Sequence, residues 1–393
     1  METGLHDSSI GFVSTYPPTV CGLASYTASL LNAVAHSRRS RHGLGVVGLS
    51  DDARRSAPDE IFVHRRGNPT SLRTAAGVLN TYDTVSIQHE FGIFGGPDGA
   101  EVMELAARLT VPTAVTFHTV LDRPTLSQRR IIDSLTERAD RVVVMSQTAS
   151  ERLTHRYGVP PNAIEVIAHG ADARFAGPSL VTGNRPLVLT WGLIGPGKGL
   201  ESVIEAFAGL VDLDPRPRYL IAGATHPNVQ AASGESYREG LASLVQSLDL
   251  EDLIEFDDRY IDRETLARLV RTADLVVLPY ASAEQVTSGV LVEAIAAAKP
   301  VIATRFPHAV ELLSGGAGVL VPHGDPGALT AALRRLLTDR ALTARMGLQA
   351  RLLADGWYWP TIGQRFGTMM SDMTTAARVT QPRMSLQVTH VAG

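Results

Sequence analysis

Four consecutive apolar residues, Leu275, Val276, Val277 and Leu278, are stopped by Pro279. That is the pattern of a strand buried on both faces. A polar loop, 283–288, comes next, and from Gly289 the apolar positions Leu291, Ile295 and Ala298 recur at helical spacing until Pro300. Ser288 suits the N-cap of that helix, because its hydroxyl can accept from the free amides of the first turn. Val301, Ile302 and Ala303 then start another strand. The same alternation runs through the rest of the chain. Apolar runs predict strands over 10–14, 84–88, 111–118, 141–146 and 164–167, with helices over 24–35, 128–138 and 148–157 between them. Beyond a Gly- and Pro-bearing segment at 175–185, strands are predicted over 187–191, 219–223, 253–256 and 318–321, with helices over 200–210, 263–272 and 326–337. Strands that alternate with helices build parallel sheets, whose ligands lie at the carboxyl ends of the strands. The fold class is α/β.

Length divides this pattern in two. A chain of 393 residues exceeds what one core usually holds. A hydrophobic fraction of 44% with 19% charged residues is that of an ordinary globular protein. A net charge of −4 gives no electrostatic case for nucleic acid. The single cysteine, Cys21, excludes an internal disulfide and fits a reducing cytoplasm. No run of about 18 apolar residues predicts a membrane span, and METGLHDSS lacks the layout of a signal peptide. Arg38, Arg39, Arg41 and His42 form a basic cluster that would suit weak peripheral contact with an anionic membrane. Residues 1–182 hold 17 basic and 18 acidic side chains, which favours a solvated surface over that contact.

Of the 36 basic residues only Lys198 and Lys299 are lysine. A lysine kept inside the glycine-rich loop Gly192-Leu193-Ile194-Gly195-Pro196-Gly197-Lys198-Gly199 therefore stands out, whereas Lys299 after a helix answers to the macrodipole. The loop nearly matches GxxxxGK[ST], yet Gly199 lacks the hydroxyl that would hold magnesium, and Pro196 removes a donor from the phosphate cradle. Near the start of the 289–298 helix, Glu293 is a lone carboxylate among apolar residues. On spacing alone it is either a solvated side chain or a ligand. His89 and Glu90 close the 84–88 strand beside a glycine-rich loop and suit a site wall, as does His118 at the end of its own strand. No HExxH or CxxC spacing supports a metal.

These residues resemble the retaining GT-B glycosyltransferases of family 4. Their core motif carries two glutamates eight positions apart, the first on the transferred sugar and the second on the ribose of the sugar nucleotide. Glu293 matches the second. The first position falls on Gln285, with Glu284 one residue early, so either side chain could take the sugar contact. In the family's donor loop an arginine and a lysine bracket the diphosphate; Lys198 matches the lysine, and Leu193 stands where the arginine would be. Arg259, in EFDDRY, is the candidate substitute. The blocks QHEFGIFGG and FHTVL resemble a less typical branch of the family.

The resemblance implies two Rossmann-like domains facing a cleft. Residues 1–182 would form the acceptor side and 183–360 the donor side, with a helix over 361–376 crossing back and a poorly ordered tail over 377–393. Gly195, Lys198, Arg259, Ser288, Gly289, Val290 and Glu293 would bind the donor. His118, Lys198, Gln285 and Glu284 would act at the sugar and the departing diphosphate, while Cys21, Gly22, His89 and Glu90 would border the acceptor. The implied reaction moves a hexose from a GDP-, UDP- or ADP-linked donor to a hydroxyl of a glycan, lipid or small molecule, with retention and without metal or cofactor. The alternative is an inactive sugar-nucleotide-binding or partner subunit, suggested by Leu193 and Gln285.

Overall fold

A computed structural model of the chain describes residues 8–52, 54, 56–180 and 183–380. Among these residues the strands form two parallel sheets. The first sheet takes β1 (Ile10–Ser14), β2 (Leu44–Ser50), β3 (Glu60–Arg65), β4 (Thr84–His89), β5 (Thr113–Phe117), β6 (Arg141–Val144) and β7 (Ile164–Val166), in the order β3-β2-β1-β4-β5-β6-β7. The second takes β8 (Leu187–Trp191), β9 (Arg218–Ala222), β10 (Ile254–Asp257), β11 (Leu275–Leu278), β12 (Val301–Thr304) and β13 (Gly318–Val321), in the order β10-β9-β8-β11-β12-β13. In both sheets the order reverses at the first strand, β1 or β8, which opens the crevice where such sheets bind ligands. β1, β4, β5, β8, β11 and β12 are buried at every position, so helices cover both faces.

The elements predicted from apolar spacing are present. The helix expected over 24–35 is longer, Gly22–Arg38, because Cys21 caps it: its sulfur accepts from Ala24 N at 3.3 Å. The 263–272 helix has the expected bounds, Arg263–Thr272, with Asp262 as its N-cap. β2, β3 and the helices Pro69–Leu79, Ser236–Ser247 and Arg340–Ala354 were not anticipated.

The last helix, Trp359–Thr380, returns to the first sheet. Its Ile362, Phe366, Met369, Met370 and Met373 are buried with Ile10, Phe12, Leu30 and Val34. Gly363 permits this contact, since a Cβ there would sit 2.3 Å from the Ala33 carbonyl carbon. The helix takes in positions 377–380 of the anticipated tail; 381–393 lie outside the described residues, as do 1–7 and positions 181 and 182 of the Gly- and Pro-bearing segment. No helix of the described residues is long and apolar enough to cross a membrane.

Lys299 has a different role from the one its position suggested. The preceding helix ends at Ala296, and Lys299 is buried, its Nζ donating to Ser179 Oγ at 2.9 Å and Arg271 O at 2.8 Å. Burial pushes its pKa down to about 8. It ties the segment between the sheets to the second lobe, away from the cleft.

Candidate active site

The carboxyl ends of the two sheets face one another across a cleft of about 690 Å³. From the first lobe it is lined by Cys21, Gly22, Tyr26, Glu90, His118 and His169, and from the second by Leu193, Lys198, Arg263, Gln285, Gly289 and Glu293, among others.

The glycine loop brings Lys198 to this cleft. Gly197 and Gly199 both have positive φ, +86° and +68°. A Cβ on Gly199 would stand 1.9 Å from the Pro279 carbonyl oxygen, so neither serine nor threonine fits the position. The loop is therefore packed against the end of β11 in a way that a magnesium-binding hydroxyl would disrupt. The Lys198 ammonium lies 4.7 Å from the centre of the Tyr280 ring, a cation–π contact that leaves its charge facing the cleft.

Ser288 caps the helix Gly289–Ala296, accepting from Leu291 N at 3.3 Å. The backbone amide of Ser288 is already taken, donating to His308 Nδ1 at 2.9 Å. The expectation that Ser288 offers its N–H to the donor is thus corrected; Gly289 and Val290, the first two helical residues, are the amides that border the cleft. One turn on, Glu293 is only 7% exposed. Trp191 Nε1 donates to its Oε2 at 3.2 Å and Arg263 Nη1 to its Oε1 at 2.6 Å.

Arg263 was missed in the sequence, where it reads as the first residue of an amphipathic helix. It stacks over Phe175 at 5.2 Å and lines the cleft, so it supplies a second cation beside Lys198. Arg259 does not. Its side chain is 77% exposed and folds back onto Asp257, with bonds of 2.9 and 2.7 Å, outside the cleft lining. The nearer acid wins the guanidinium, and the proposed substitution for the absent arginine is corrected accordingly. Gly195 also lies off the lining, 3.0 Å from Val229 Cγ2 when given a Cβ. Its missing side chain lets Val229 pack against the loop.

Gln285 and Glu284 point to different partners. Gln285 lines the cleft and its Nε2 donates to Thr287 O at 3.1 Å. The Glu284 carboxylate instead accepts from Asp122 N at 2.8 Å and Arg152 Nη1 at 2.9 Å, both in the first lobe. Val286, between them and Ser288, is buried in the first lobe's apolar cluster. Full burial of a valine contributes about 1.5–3 kcal/mol, so this loop is held against the opposite lobe.

On the acceptor side, His118 Nε2 bonds Gln88 Oε1 at 2.9 Å, which puts the proton on Nε2 and leaves Nδ1 as an acceptor. His169 Nδ1 donates to Gly170 O at 2.8 Å, leaving Nε2 with its lone pair. A Cβ on Gly289 would come within 2.8 Å of that nitrogen, so the histidine and the helix start are in close contact. Tyr26 joins the two: its ring centre lies 4.6 Å from His118 and 5.0 Å from His169. Burial lowers the pKa of His118 well below the ordinary value and that of His169 to about 4. Both are neutral at pH 7. Glu90 accepts from Thr119 Oγ1 at 2.7 Å and Phe91 N at 2.8 Å, and its enclosure raises its pKa.

His89 is absent from the cleft lining. It is fully buried at the end of β4, with the Phe91 and Phe117 ring centres 5.0 and 5.2 Å from its own, and its placement on the acceptor wall is corrected. Strand alternation turns His89 inward and leaves Glu90 facing the cleft. Among the described residues no three His, Cys, Asp or Glu side chains cluster as a metal site would require.

Residues 174–353 match the family described as Glycosyl transferases group 1, and residues 31–175 match Glycosyltransferase Family 4. The chain belongs to the group 1 glycosyltransferases of GT-B fold. It is similar to a D-inositol 3-phosphate glycosyltransferase of Corynebacterium efficiens, 30% identical over 271 residues that make up 65% of this chain and 62% of that one. The match therefore spans less than two thirds of that relative's length. Among solved structures it resembles a sucrose-phosphate synthase from Thermosynechococcus elongatus, with TM-score 0.74, 21% identity, and 94% and 100% of the two chains covered. The Anabaena protein HepE, in complex with UDP and glucose, superposes with TM-score 0.73 and 18% identity over 93% of this chain and 100% of its own. At these identities both show the GT-B fold.

Proposed function

We propose that this chain transfers a hexosyl group from a nucleoside-diphosphate sugar to a hydroxyl acceptor with retained configuration. The observation that carries the reading is the convergence of Lys198, Arg263, the Gly289 and Val290 amides and Glu293 on one wall of a single cleft. Two cations and a helix N-terminus suit a diphosphate, and a buried carboxylate one turn away suits the ribose hydroxyls. Gln285 and His118 line the space between, where the sugar would lie.

In this reaction the bond from the anomeric carbon to the diphosphate oxygen breaks as the acceptor oxygen bonds to the same face. The acceptor proton passes to the departing diphosphate. Negative charge grows on that leaving group, so Lys198 and the helix amides act most strongly in the transition state. No protein base is required, because the departing diphosphate takes the acceptor proton. The presence of two separate sheets supports a division into acceptor and donor lobes near residues 182 and 183, and a lone cysteine suits a reducing cytoplasm.

The relative's name makes an inositol phosphate the first acceptor to try. The inactive-subunit reading is weakened by Arg263, which offers a cation where Leu193 does not. A thermal-shift panel of UDP-, GDP- and ADP-linked hexoses tests the donor class. A ligand at 100 times its dissociation constant adds about 2.7 kcal/mol of stability. A shift with one base and release of its nucleoside diphosphate in the presence of acceptor is the expected result; no shift with any of the three would overturn the reading.

A further inference from the structure

Both lobes meet on one helix of the first lobe, Gln147–Tyr157. At its N-terminus the carboxylate of Glu311, from the second lobe, accepts from Gln147 N at 2.8 Å, Thr148 N at 2.9 Å and Thr148 Oγ1 at 2.8 Å. The helix's own cap, Ser146, reaches only Ala149 N, so a carboxylate from across the cleft completes the capping. One turn further, Arg152 donates to Glu284 Oε2 at 2.9 Å and also to Val120 O at 2.7 Å.

The two carboxylates are linked within the second lobe. Glu311 lies on the helix Pro307–Leu313, whose His308 accepts from Ser288 N, while His308 N donates to Gln285 O at 3.3 Å. Pulling on Glu311 therefore pulls on the residues flanking the sugar position. Glu284 also accepts from Asp122 N, four residues after His118 on the same first-lobe loop. A single carboxylate thus grips the loop that follows His118 and the helix that seats Glu311, and it does so from beside Gln285.

We propose that Glu284 and Glu311 are positioning residues, which seat the 283–288 loop on the helix Gln147–Tyr157 and so fix Gln285 and His118 in register across the cleft. This rests on the glycosyltransferase reading for its effect on turnover, though not for the seating itself. Neither carboxylate need touch the substrate. Charge-assisted bonds across a closing interface form only when the lobes are together, so they favour the closed arrangement over an open one.

The test uses the full chain without ligand. Small-angle X-ray scattering on the double variant Glu284→Ala, Glu311→Ala should give a larger radius of gyration than wild type. Turnover should fall roughly tenfold to a hundredfold, as misplaced reacting groups do, while the dissociation constant for the bare nucleoside diphosphate stays within about twofold, since Glu311 lies off the cleft lining and the Glu284 carboxylate, although at the cleft, is taken up by Asp122 N and Arg152. Glu284→Gln, which keeps an acceptor for Asp122 N, should lie between wild type and Glu284→Ala, and it carries the test if a thermal melt shows the double variant unfolded. Unchanged scattering overturns the proposal whatever turnover does, and so does expansion with wild-type turnover or a nucleotide affinity that falls in step with it. If wild type turns over no sugar nucleotide, the functional reading fails and scattering alone decides the seating.

Discussion

Arg263 Nη1 and Glu293 Oε1 lie 2.6 Å apart at the back of the cleft, so the carboxylate expected to hold a ribose is already ion-paired before any donor arrives. Glu293 is nearly buried while Arg263 keeps 38% of its side chain exposed. The arginine holds the carboxylate in place and still presents donors to the cleft. A charged hydrogen bond contributes about 1.5–3 kcal/mol. Glu293→Gln should therefore raise the donor's dissociation constant by about ten- to a hundredfold, measured by calorimetry, with the melting curve still cooperative. Unchanged affinity would remove Glu293 from the ribose site.

Lys198 and Arg263 are the cations expected at the diphosphate. Lys198→Ala should cut turnover by roughly a hundredfold or more, the scale seen when a charge-stabilising group is removed. Lys198→Arg should rescue it poorly, because the positive-φ loop around Gly197 and Gly199 holds the backbone close and leaves little room for a planar fork. Arg263→Ala should weaken nucleoside diphosphates more than the nucleoside alone, whose smaller loss reflects the Glu293 carboxylate left without its ion pair. Arg259→Ala should leave both unchanged, given its solvent-exposed pairing with Asp257. Equal losses for nucleoside and diphosphate in Arg263→Ala would take that arginine away from the phosphates.

Gln285 and Glu284 both line the cleft, but the Glu284 carboxylate is engaged by Arg152. Gln285→Ala should lower turnover more than it weakens binding of the bare nucleotide, measured by paired kinetics and calorimetry. Normal turnover in that variant would mean that the loop only closes the site.

Gly199 offers a test of the loop's chemistry. Gly199→Ser combines a left-handed backbone, which costs about 1–3 kcal/mol for a residue with a side chain, with a Cβ forced against Pro279 O. Its melting temperature should drop, and no magnesium-dependent nucleotide hydrolysis should appear. A stable variant with such hydrolysis would revive the phosphate-binding-loop alternative.

The strands and most of their helices were legible because fully buried parallel strands read as continuous apolar runs, as in Leu275–Leu278. Pro and Gly punctuated them, and the glycine loop named Lys198 directly. β3 was not legible, since its EIFVHR mixes exposed and buried positions at a sheet edge. Site residues that depend on tertiary placement were harder. Arg263 and Tyr26 carry no local signal, because an arginine at a helix start and a tyrosine in an apolar helix are ordinary. Arg259 misled for the converse reason. Only the structure reveals that Asp257, two residues away, captures it.

Four buried histidines predict an acid limit to stability. Burial lowers the pKa of His89 and His308 to about 3 and that of His169 to about 4, and sets His118 well below the ordinary 6.5. In the unfolded chain each would take up a proton as pH falls through about 6.5. In the folded chain each stays neutral until the pH approaches its lowered value. Between about 6.5 and 4 the unfolded state therefore binds more protons, and stability must decline as pH falls. Above about 7 the four histidines contribute no slope. Melting temperatures should be level from pH 7 to 8 and drop steadily from pH 6.5 to 4, with all four residues charging only on unfolding. Replacing His308 by Gln, which keeps an acceptor for Ser288 N, should flatten that decline by one proton's share. An equally steep decline in the variant would show that His308 is not held neutral in the folded protein.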